Sequence, residues 1–217
     1  MILLGVAGVS LALLCASIAQ DVRLYVGPEP DLSAKIWMLD VDFERSAFTW
    51  VSIISLFVAA VLLFLGAEHA AARRDRFRWH WYALAALFLL ASFDEFAGLH
   101  EKLSAVLAAR MSHSGVLYFA WAAPAGILAL IGLASFIPFI RSFPTRLALL
   151  MVLSAGLFLG GAVGLEMIGG KIAEVEGVKS LHYRMETNAE EGMELAGTLL
   201  FIYVLLAFNE ERRFIPG

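Results

Sequence analysis

Six stretches of this chain, about 2 to 20, 47 to 66, 79 to 99, 116 to 140, 146 to 168 and 189 to 208, are apolar over lengths near 20 residues. A helix needs about 20 apolar residues to cross roughly 30 Å of hydrocarbon, so each stretch predicts a spanning α-helix. No repeat, low-complexity tract or long linker divides them. The pattern predicts a single all-α transmembrane bundle over residues 1–217. Ser17 and Ala19 ahead of Gln20-Asp21 have the look of a signal cleavage site, but no Lys or Arg precedes the apolar run, and it is read as a helix. Leu13-Leu14, where a small residue is needed, argues against a lipoprotein reading of Cys15.

Composition narrows the class. With 60% hydrophobic and 17% charged residues, the chain departs from soluble domains, which are nearer half apolar and a quarter charged. A net charge of -4 without any Lys/Arg-rich run excludes nucleic acid as a partner. The single cysteine, Cys15, allows no intrachain disulfide and is read as a packing residue. Arg73, Arg74, Arg76 and Arg78 crowd one loop, Arg141 and Arg146 flank another, and Arg212 with Arg213 follow the last helix. Basic loops stay inside, so both termini are expected on the cytoplasmic side. The first outer loop carries Asp21, Glu29, Asp31, Asp40, Asp42 and Glu44. Trp79, His80, Trp81 and Tyr82 fit an interfacial aromatic belt. Gly156, Gly160 and Gly164, with Gly161 beside them, form a small-residue stripe for close packing within the bundle or in a homo-oligomer or partner membrane subunit.

The chemistry lies in acids placed where lipid is expected. Asp94, Glu95 and Glu101 end the third apolar run, Glu166 ends the fifth, and Glu190, Glu191 and Glu194 open the sixth. At about 1.5 Å per residue, Asp94, Glu166 and Glu194 all lie roughly 20 to 30 Å from the inner ends of their helices, in the outer leaflet. In one continuous helix Asp94 and Glu101 share an arc, Glu95 points elsewhere towards a cation such as Lys102 or Arg110, and Glu190, Glu191 and Glu194 form a face continued by Thr198. Intramembrane ionisable groups mark sites or pathways.

Three uses of such acids compete. Carboxylates with one imidazole suit a divalent metal ion, iron, manganese, magnesium or calcium ahead of zinc. The Asp94, His100, Glu101, Glu166, Glu191 and Glu194 side chains are the expected ligands, with His100 and Glu101 as the catalytic candidates. The metal would then activate water or oxygen towards a lipid or other hydrophobic substrate. The chain lacks the Glu-x-x-His pairs of di-iron bundles. Only His100 is well placed; His182 is within reach from its loop, and His69, His80 and His113 lie at ends or loops, which excludes bis-histidine haem. Alternatively, the acids serve a proton- or cation-coupled transporter. Against this, the inner halves of the helices offer only hydroxyls such as Ser52, Ser55 and Ser154. A purely structural subunit would use Glu190 and Glu191 at a helix start capped by Thr187 or Asn188, and pair Asp94, Glu95 and Glu101 with Lys102, Lys171 or Arg184. The meeting of three segments favours the metal reading. No Gly-x-Ser-x-Gly elbow accompanies Ser92, and Gly169-Gly170-Lys171 lacks the rest of a phosphate loop.

Asp42-Phe43-Glu44 ahead of Thr49-Trp50, Ser92-Phe93-Asp94-Glu95, Leu99-His100-Glu101, Gly164-Leu165-Glu166 and Glu190-Glu191-Gly192-Met193-Glu194 together resemble an uncharacterised family of small bacterial multi-spanning membrane proteins. That resemblance implies a bacterial inner membrane and supplies no activity; with the basic loops inside, the site is expected to face the periplasmic side. Ceramidase-like membrane hydrolases hold zinc with several histidines from different helices; the histidines here are too few and misplaced for that.

Overall fold

The computed structural model describes residues 1–26, 32–110 and 114–212, with side chains to residue 210. Glu29, Asp31, His113, Arg213 and the Arg212 side chain therefore lie outside the described residues. The described chain is all α, with no strand. Its helices are α1 (Ile2–Tyr25), α2 (Ala47–Ala72), α3 (Arg78–Ala97), α4 (Leu99–Ala108), α5 (Ala122–Ile140), α6 (Thr145–Leu159), α7 (Glu166–Glu176) and α8 (Leu181–Arg212). Five are long and apolar enough to cross a membrane: α1, α2, α5, α6 running on through α7, and α8; α3 with α4 makes a sixth when that pair, bent by 75°, is taken together.

Local chemistry sets the boundaries. Ser46 caps α2, its hydroxyl accepting the Thr49 N–H at 3.1 Å. The other end of α2 closes with the Arg74 N–H donating to the Ala71 carbonyl and the Asp75 N–H to the Ala70 carbonyl, at 3.0 and 2.8 Å. This is a Schellman turn, and its left-handed position, usually glycine, is Arg74 at φ 54°. The third apolar run, expected to continue through residue 99, instead breaks at Gly98, whose φ of 56° cannot continue a helix. The sixth was expected from residue 189 and starts eight residues earlier, at Leu181. The fifth extends past 168, through a π-helical turn (Gly160–Leu165), to Glu176. The fourth helix starts at Ala122 rather than 116, after a short turn at Gly115–Leu117.

The α8 helix packs against α1, α2, α6 and α7. Two close approaches to neighbouring backbone run through Gly161 and Gly197. A Cβ on Gly161 would lie 2.8 Å from the Glu190 carbonyl oxygen, and one on Gly197 would lie 2.7 Å from the Phe158 nitrogen. Gly156 and Gly164, expected in the packing stripe, have open space around them. The α3 helix runs antiparallel beside α2: Trp81 lies against Gly66, and the Ser92 hydroxyl donates to the Ile53 carbonyl at 3.0 Å. Of the expected aromatic belt, Trp79 is exposed, whereas Trp81 is buried and His80 stacks on Phe139. Cys15 is exposed rather than packed.

The distribution of polarity is inverted relative to a water-soluble bundle. Ile127, Leu128, Leu130 and Ile131 of α5 are exposed, while Ser17, Asp21, Asp40, Arg184 and Asn188 are buried. Such a surface matches hydrocarbon outside and polar pairing inside.

Candidate functional site

A cleft of about 370 Å³ opens where the segment before α2 meets the α3–α4 break, α7 and the first half of α8. Seven acidic residues line it: Asp42, Glu44, Glu95, Glu101, Glu166, Glu190 and Glu191. His100, Phe119, Trp121 and Tyr183 line it too, with the hydroxyls of Thr49, Ser104 and Thr187, and no Lys or Arg is among its described lining.

The break at Gly98 builds one wall. A Cβ there would meet Glu44 Oε1 at 2.5 Å, so only glycine lets the Glu44 carboxylate lie against the bend. Beyond the bend, α4 is amphipathic: Leu99, Leu103 and Val106 are exposed on one side, and Glu101, Ser104, Ala105 and Ala108 face the cleft on the other. Asp94 staples the bend, its carboxylate accepting the His100 N–H at 2.8 Å while its other oxygen meets His100 Nδ1 at 2.9 Å. The His100 ring leans on Trp121, with centroids 5.1 Å apart, and Trp121 Nε1 donates to Glu166 Oε1 at 2.8 Å. Asp94, His100, Trp121 and Glu166 thus form one chain of contacts across α3, α4 and α7.

Of the residues expected as ligands, His100, Glu101, Glu166 and Glu191 line the cleft, Asp94 orients His100 from behind, and Glu194 lies one turn further along α8 against Gly161. Among the described residues, no three His, Cys, Asp or Glu side chains stand as a metal-ligand set. Glu95, expected to turn away towards Lys102 or Arg110, faces the cleft, because the bend at Gly98 rather than a straight helix decides what surrounds it. Lys102 instead donates to the Ala97 carbonyl. His182 pairs with Glu176 at 3.0 Å on the exterior and does not reach the cleft. Glu190 and Glu191 lie more than two turns inside α8, so complementing a helix start does not explain them.

Behind the cleft sits a polar cluster that the sequence reading missed. Arg184 was expected to serve the acids of the third helix. Its guanidinium instead binds Asp21 at 3.3 Å, Asp42 at 2.5 Å and Asp40. Lys35 meets Asp40 at 2.5 Å, and Asn188, expected as a cap, donates to Asp21 and to the Arg184 carbonyl, both at 2.7 Å. Asp21, Lys35, Asp40, Arg184 and Asn188 are all buried. Asp42 belongs to both arrangements: one oxygen is held by Arg184 while the residue lines the cleft. The only sequence signal for this cluster was the pairing of an acid-rich first loop with a lone Arg in an otherwise acidic stretch of α8. Glu186, one turn before Glu190, has both carboxylate oxygens buried without a hydrogen-bond partner among the described residues, against Gly169 of α7.

The fold and the cleft define a class: an all-α protein with five or six helices of membrane-spanning length and an acidic cleft at one end. The chain belongs to the family described as "Domain of unknown function (DUF8692)", which matches residues 1–208. No curated protein and no solved structure matches it.

Proposed function

We propose that this is a six-span membrane protein whose acidic cleft binds a cationic ligand, a protonated amine foremost, at the outer face of a bacterial inner membrane. The observation that carries the reading is the lining itself: seven carboxylates from separate segments meet in one cleft, and among the described residues Asp42 alone of them is paired with a cation, Arg184. Like charges gathered at low dielectric need a counter-charge or shared protons, and a bound cation supplies the former. The volume fits a small molecule, and Phe119, Trp121 and Tyr183 provide the π faces that hold an ammonium group. A divalent metal, the expectation from the three converging acidic segments, would enter with its water shell, because no ligand set stands ready for direct coordination among the described residues. Six crossings are the reading supported by α3 running antiparallel beside α2, with α4 lining the cleft beyond the bend. An even number of crossings keeps both termini on the side of the arginine-rich loops, the cytoplasm.

Purified protein in detergent, titrated with spermidine and separately with Mn²⁺, tests this. Spermidine should saturate with a change in tryptophan emission that disappears in Trp121→Phe, and Glu101→Gln/Glu191→Gln should weaken it at least tenfold, about 1.4 kcal/mol. Stoichiometric Mn²⁺ resonance with no response to spermidine would move the ligand to the metal. Absence of saturable binding of either, or binding untouched by the double variant, would sink the reading.

A further inference from the structure

At the opposite end of the bundle lies a second cavity, of about 560 Å³, with the reverse chemistry. Thr49 of α2 lines the acidic cleft, whereas Gly66 and Ala70 of α2 and Arg73 just beyond it line this one. At 1.5 Å per residue the two are separated by roughly 25 to 35 Å, about the thickness of a bilayer's hydrocarbon core. Its floor is aromatic. Trp81 lies flat on α2 because residue 66 is glycine: a Cβ there would sit 2.8 Å from the indole ring. Phe143 packs beside Trp81 at 5.7 Å between centroids.

Its rim is cationic. Arg73 and Arg76 border the cavity and, among the described residues, neither guanidinium has an acid partner. Arg76 lies over the Phe77 ring at 4.5 Å, which keeps its charge at the mouth. Asp75, the acid in the lining, is already turned to the backbone, with Oδ1 accepting the Phe77 N–H at 2.7 Å. The turn presenting these side chains holds Arg74 at a left-handed φ of 54°, where glycine is the relaxed choice. A strained cation-rich turn over an aromatic floor combines a charge site with an apolar one.

We propose that this cavity binds a phosphate-bearing anion through Arg73 and Arg76, with the aromatic floor receiving the apolar part of the same molecule. In a bilayer an anionic phospholipid supplies both parts; a soluble phosphate ester supplies the charge alone. Arginine forks match phosphate oxygens, and cations at an interface attract anionic headgroups.

The test reconstitutes the full chain in nanodiscs of phosphatidylcholine doped with phosphatidylglycerol, extracts it into mild detergent, and counts retained lipid by native mass spectrometry. Glycerol 3-phosphate is titrated by calorimetry against lipid-stripped protein in parallel. Wild type should retain phosphatidylglycerol in preference to phosphatidylcholine, and Arg73→Gln/Arg76→Gln should lower that retention roughly thirtyfold. Arg23→Gln/Arg45→Gln, which removes as much charge elsewhere, should leave it unchanged. Saturable glycerol 3-phosphate binding lost in the same variant would assign a soluble ester as an alternative source for the same site; lipid retention alone would assign the headgroup. Should the double variant fail to fold, Arg76→Glu at an exposed position gives the same comparison. No preference for the anionic lipid together with no phosphate binding, equal retention by wild type and the Arg73/Arg76 variants, or equal loss in the Arg23/Arg45 control, would each overturn the proposal.

Discussion

Arg184 gathers three aspartates from two distant stretches of chain, and its burial makes the arrangement all-or-none. Removing it leaves Asp21 and Asp40 to Lys35 and takes from Asp42 its cation, and breaking a buried ion pair from one side costs about 3 to 5 kcal/mol. Arg184→Met should therefore lower the thermal unfolding temperature in detergent sharply, while Lys179→Met on the exterior should move it by no more than about 0.5 kcal/mol equivalent. Equal shifts would show that the cluster is not a structural anchor. Gly98 is the second residue of consequence. Gly98→Ala places a Cβ on a left-handed residue and against Glu44. The backbone term alone costs about 1 to 2 kcal/mol. Cation binding in the cleft should fall with it, while phosphatidylglycerol retention at the far end stays as in wild type; loss of both would mean global unfolding rather than local damage. The acid types were readable along the chain. Which of them had a cation was not, because Arg184, Asp21 and Asp40 are joined only by folding.

Elements here are bounded by small local signals and joined by close contacts. The turn after α2 carries an arginine where its geometry favours glycine, so Arg74→Gly should raise stability by about 1 kcal/mol. A denaturation midpoint lower than wild type would contradict the Schellman turn as described. The π-helical turn at Gly160–Leu165 brings Gly161 against α8, and any larger side chain must push that helix away. Gly161→Val should cost about 1 to 3 kcal/mol and disturb Glu190 and Glu194 together; tolerance without a stability change would mean that the approach is looser than the contact distances indicate. Hydrophobic runs located every long helix but misplaced several ends. Apolar length reports where hydrocarbon is tolerated. It is blind to the Gly98 break, whose cause is a backbone angle, and to the polar first turns of α8, which are helical because Arg184 and Asn188 find partners inside.

At the scale of the whole molecule the bundle is polar in opposite senses at its two ends, acids at one and arginines at the other. With Cys15 replaced by serine, Arg74→Cys should react with a membrane-impermeant maleimide only from the cytoplasmic side and Val178→Cys only from the outer side. Labelling of both from one side would break the six-crossing topology. The all-α architecture and five or six helices of membrane-spanning length follow from the sequence by itself, since apolar length is a property of a linear string. The cleft, the buried Arg184 cluster and the arginine-rimmed cavity were decided by tertiary structure alone. Each is a meeting of segments that lie far apart in the chain, and a helical period places a side chain on a face without saying which other face will lie against it.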